Sequence, residues 1–178
     1  MTPTALTADL IAAYLRTTYW VETPLEAIPL RVGEFCSTLS TSMAPLAAEF
    51  AAVMTTCNPR SAILPPCENR RRQAAFEEEL RNAGFRFWPA LGVGVDPGWY
   101  PEPSICILQP SREELRKWLV DWDQHATVWY DATSIPTLVF QEESVAGEQL
   151  GLLLETPLPL DLEAKARYVQ SGLSRQSR

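Results

Sequence analysis

A chain of 178 residues, 46% hydrophobic and 21% charged, has enough apolar material for one domain with a substantial core. Its net charge of -7 argues against general nucleic-acid binding, which needs clustered Lys and Arg to neutralise phosphates. No stretch approaches the ~18 apolar residues of a membrane helix, and residues 1–4 lack the basic start of a secretory signal.

In chain order, Leu6, Leu10, Tyr14 and Leu15 recur at helical spacing, with Thr4 or Thr7 able to cap the first turn. Two short strands follow at 18–21 and 28–32. Pro29 cannot donate to a ladder, which places the second strand at a sheet edge. A short helix is expected at 34–39. Residues 50–56 read as a small-residue strand that stops at Asn58-Pro59. After the Pro65-Pro66 loop comes a helix over 68–83, with Phe76 and Leu80 inward and Gly84 suited to its end. In its first part the basic run Arg70-Arg71-Arg72 is offset by Glu77, Glu78 and Glu79, as on a solvated face.

Residues 85–88 alternate as a strand, 92–101 form a glycine- and proline-rich loop, and 104–108 form a buried strand. Ser111 and Glu114 are spaced as a capping box, ahead of a helix whose apolar face is Leu115, Trp118, Leu119 and Trp122. Strands at 126–130 and 135–140 follow. The fold class expected is α+β, with a single domain over 1–141. Residues 142–178 are expected to be a C-terminal extension, helical at 148–155 and disordered from 171.

From about residue 50 to 130 the order is strand, helix, strand, strand, helix, strand, the split βαβ or ferredoxin-like arrangement. Right-handed crossovers put both helices on one sheet face, leaving the other open. Tracing the strand ends brings Asn58, Arg60, Asn69, Arg72, Glu102 and Gln124 to one rim. Amides, arginines and a carboxylate in one concavity suit a small polar or anionic ligand, or a partner's polar segment.

Each rim residue also has a plainer reading. Asn58 before Pro59 suits a turn, Asn69 can support its helix start, and Glu102 can pair with Arg60 or Arg72. The candidate catalytic residues are Glu102, and Cys57 with His125 as its base. Trp99 and Tyr100, among many large aromatics, suggest a protein-interaction surface as another reading. Cys36, Cys57, Cys67 and Cys106 form no Cys-x-x-Cys pair, and one histidine leaves little for zinc. No metal and no cofactor is therefore expected, and free thiols point to the cytoplasm, with the even cysteine count leaving disulfides as the alternative. The expected partners are a small polar ligand or a protein, not nucleic acid or membrane.

The ordered set Asn58-Pro59, Asn69 opening an Arg- and Gln-containing helix with Leu80 and Gly84, Glu102-x-Ser104 and Gln124-x-Ala126 resembles the bacterial domain-of-unknown-function family 3293. The similarity covers roughly residues 14–140. Cys57 stands where that family has an aromatic residue, and His125 also departs from it. The resemblance implies a shared fold and a shared rim, and no activity.

Overall fold

The computed structural model describes residues 5–95 and 99–176. Seven antiparallel strands form one sheet in the order β2-β1-β4-β5-β3-β6-β7. Helix α1 (Ala8–Arg16) starts where Thr7 Oγ1 accepts the Leu10 amide, 3.3 Å. It leads into the hairpin of β1 (Thr18–Glu22) and β2 (Ala27–Leu30), in which Pro29 lies opposite Trp20 on the edge strand. Helix α2 (Thr38–Met43) starts four residues later than the expected 34–39 helix.

The centre of the sheet is β3 (Ala51–Met54), β4 (Phe87–Val93), β5 (Glu102–Leu108) and β6 (Ala126–Tyr130). β5 lies between β3 and β4 and runs opposite to both. Helix α3 (Pro66–Asn82) connects β3 to β4, and α4 (Arg112–Asp121) connects β5 to β6. Pro66 belongs to α3 rather than to a loop, because the first helical turn needs no amide from it. Ser111 and Glu114 form both halves of the capping box that opens α4. Phe76 and Leu80 of α3 join Leu115, Trp118 and Leu119 of α4 in one core on a single sheet face. Each such fully buried side chain contributes about 1.5–3 kcal/mol.

Long-range pairing moves several boundaries. β4 starts at Phe87 and runs to Val93 because its far half pairs with β1, Tyr19 opposite Gly92 and Val21 opposite Ala90. β5 starts at Glu102, opposite Gly92, so Glu102 is a strand residue and not a loop one. Part of the expected 92–101 loop, residues 96–98, lies outside the described residues.

The opposite sheet face is not open. After β7 (Thr137–Phe140), helices α5 (Glu143–Leu154) and α6 (Leu160–Gln176) pack across it together with α1. Leu150, Leu153, Leu162, Val169 and Leu173 share a core with Val53, Val128 and Leu138. Residues 142–176 thus complete the main core instead of extending from it. The segment expected to be disordered from 171 is helical to Gln176, with Leu173 buried against its neighbours; residues 177–178 lie outside the described part.

Candidate functional site

The rim starts from an unusual backbone. Asn58, Arg60 and Ser61 all have left-handed backbone angles, with φ of 45°, 46° and 59°. Asn tolerates this region, and its side chain compensates by bonding locally. Asn58 Oδ1 accepts from the Leu64 amide at 2.9 Å and from Asn69 Nδ2 at 2.8 Å. Asn69 Oδ1 in turn accepts the Asn58 amide at 2.9 Å. Since the Asn58 oxygen must face the Leu64 donor, its NH2 group points the other way, and donates to Glu102 Oε1 at 2.6 Å. Asn58, Asn69 and Glu102 thus meet as a bonded unit. Gln124 joins next door, donating to the Cys57 carbonyl at 3.0 Å.

The two arginines do other work. Arg72 donates from Nε to the Thr56 carbonyl, 2.7 Å, and from Nη2 to the Trp122 carbonyl, 2.6 Å, and lies over the Trp122 ring. Arg60 pairs with Asp123 at 2.7 Å and Glu142 at 3.1 Å, and bonds Gln141 at 2.9 Å. Neither reaches Glu102, so the expected Arg–Glu102 ion pair does not form. Among the described residues, the side-chain hydrogen bond of Glu102 is the one from Asn58. Burial without a cation pushes its carboxyl pKa up to about 7, with the Asn58 bond working in the opposite direction.

Among the described residues, the Cys57 thiol contacts backbone carbonyls rather than His125, that of Pro103 at 3.7 Å and that of Asn69 at 4.0 Å. Burial raises its pKa, the reverse of an activated thiolate. His125 is buried, and its carbonyl accepts the Gln141 amide. All four cysteines are free, Cys67 exposed and Cys57 and Cys106 buried. Titration with a thiol reagent, without reductant, is expected to count four thiols in denaturant and a single fast one, Cys67, in native protein. A denatured count of two would contradict this arrangement.

Glu102 and Asn58 stand at the end of a cavity of about 380 Å³ between α1 and the sheet. Its floor includes Val53, Val128 and Leu138, and α1 supplies Leu10, Tyr14 and Thr17. Tyr19 and Gly92 lie on its strand side, and Trp99 also lines it. The Tyr14 hydroxyl meets Ser61 Oγ at 3.1 Å, and the Tyr19 hydroxyl donates to the Tyr14 carbonyl at 3.3 Å. Burial, opposed by the Ser61 bond and aided by the Glu102 charge, lifts the Tyr14 pKa to about 12; Tyr19 is raised further, chiefly by burial. A second hollow of about 300 Å³ lies beyond Asn58 and Glu102, lined by Cys57, Ile63, Leu64 and Tyr100.

Tyr14, Thr17, Tyr19 and Ser61 are the lining residues that rim tracing misses. Tyr14 reads in sequence as one member of an apolar helix stripe, which hides its hydroxyl. Of the large aromatics, Trp88, Trp118, Trp129 and Tyr130 are buried, Trp99 and Trp122 are half-buried and Tyr100 is exposed.

Residues 54–127 match the model of a family described as Protein of unknown function (DUF3293). Over this central segment the chain is similar to that family. No curated protein and no solved structure matches the chain. The DUF3293 segment contains Asn58, Asn69, Glu102 and Gln124, whereas Tyr14, Tyr19 and Leu138 of the same cavity lie outside it. No helix among the described residues is long and apolar enough to cross a membrane.

Proposed function

We propose that the protein binds a small polar ligand in the cavity between α1 and the sheet, with Glu102 and Asn58 as its recognition end. The observation that carries this reading is a half-buried carboxylate with no cationic partner among the described residues, positioned by Asn58 at the end of a cavity of ligand size. The apolar floor suits a ligand body, and the polar end suits a hydrogen-bond donor. Arg60 and Arg72 are engaged by Asp123, Glu142 and backbone carbonyls, which favours a donor-bearing ligand over an anionic one. We read the strands and helices of residues 50–130 as a ferredoxin-like core, supported by the order β4-β5-β3-β6. Four free cysteines support a reducing, cytoplasmic setting.

Gly92 provides the test. A Cβ built there meets Tyr19, Ser104 and Glu102 atoms at 3.9 Å, ordinary contact distance, so a side chain fits the strand while projecting into the cavity. A panel of polar metabolites screened by thermal shift should contain compounds that raise the midpoint of the parent protein. The same compounds should leave Gly92→Val unmoved, since ligand stabilisation vanishes with binding. Equal shifts in both proteins, or none in either, would refute a ligand site here.

A further inference from the structure

We propose that the ligand is a small organic ammonium, its charged head at the Glu102 carboxylate and its body among the rings of Tyr14, Tyr19 and Trp99. This rests on the reading of the cavity as a ligand site, and specifies the chemistry. Three features of the cavity converge on a cation.

The first is charge. Asp9 and Arg16, both exposed on α1, line the cavity with opposite charges, so that among its described lining residues Glu102 carries the net charge. The other titratable groups that feel Glu102 are Tyr14, Tyr19 and Cys57. All have raised pKa values and are neutral at pH 7, so they neither compensate nor compete with the carboxylate. The second is the free lone pairs of Glu102. Asn58 engages Oε1, and Oε2 has no hydrogen bond among the described residues. A protonated amine supplies the donors and the charge together.

The third is the aromatic wall. The Tyr14 and Tyr19 hydroxyls are committed to Ser61 and to the Tyr14 carbonyl, and both residues line the cavity. Trp99 lies beside Gly94, where an added Cβ would stand 3.7 Å from the indole. Ring faces attract cations, most strongly where water is excluded. A neutral alcohol donates to the carboxylate and packs on the rings without the attraction that both have for a positive charge, and a carboxylic acid meets a like charge.

Calorimetry on the full chain with probes of matched shape separates these cases: phenethylammonium, 2-phenylethanol and 3-phenylpropionate. The ammonium is expected to bind about tenfold or more tightly than the alcohol, and the acid not detectably. Its affinity should fall as pH drops from 8 to 6, because Glu102 takes up a proton across that range, while that of the alcohol stays flat. Glu102→Gln should bring the ammonium down to the level of the alcohol. If the alcohol or the acid binds as tightly as the ammonium, the inference is overturned while the cavity remains a ligand site. Failure of all three probes, or binding that Gly92→Val leaves unchanged, would defeat both readings.

Discussion

Glu102→Gln is expected to melt at a higher temperature than the parent protein at pH 8. A carboxyl raised from 4.5 to about 7 binds its proton more tightly in the folded chain than in the unfolded one. Folding with the charged form therefore carries a penalty of about 3 kcal/mol. The penalty is complete above pH 7, shrinks as pH falls from 7 to 4.5, and is absent below the unfolded pKa. Gln keeps an oxygen for the Asn58 donor and carries no charge. Allowing for the cost of burying its amide, the gain at pH 8 should be roughly 1–3 kcal/mol, or about 3–10 °C for a chain of this size. At pH 4 the two proteins should melt together. A lower midpoint for Glu102→Gln at pH 8 would mean that the charge holds the fold, and the case for a functional carboxylate would collapse.

Arg72→Ala should have the opposite and larger effect. One guanidinium bridges the Thr56 carbonyl beyond β3 and the Trp122 carbonyl that ends α4, while lying over the Trp122 ring. Its removal leaves two carbonyls short of a strong donor and loses the ring contact. At about 1–3 kcal/mol for each stranded group, a total near 3–4 kcal/mol is expected. That corresponds to a fall of roughly 6–16 °C in the melting midpoint. Arg72→Lys should recover only part of it, because an ammonium cannot straddle two carbonyls as a planar fork does. Full rescue by lysine would show that charge alone matters at this position.

The rim was legible in sequence because its residues sit beside elements with strong local signals. Asn58-Pro59 marks a strand end, Glu102 opens an apolar strand, and the capping box at Ser111 fixes where α4 begins and so where Gln124 emerges. Strand order then brings these points together. The partners within the rim were not legible. Arg72 and Arg60 looked equally able to neutralise Glu102, and only side-chain direction decides that one takes carbonyls and the other takes Asp123. Nor could local pattern show the left-handed angles at Arg60 and Ser61, held by contacts distant in sequence such as Arg60 to Asp123. The far half of β4 and the docking of α6 had the same cause: each depends on a surface that the chain supplies elsewhere.

The covering of the second sheet face has a consequence for the order of assembly. The helix that roofs the cavity, α1, precedes every strand, yet it is fastened by α5, where Gln149 Oε1 accepts the Ala8 amide at 3.0 Å. Helix α6 is fastened in turn by Lys165 to Glu34 at 2.7 Å and by the Tyr168 hydroxyl to the Ile135 carbonyl at 3.2 Å. Contacts so distant along the chain are the slow ones to form. On a ribosome, the central strands and their two helices emerge complete while α1 still waits for its clasp. The cavity is therefore among the last features to close.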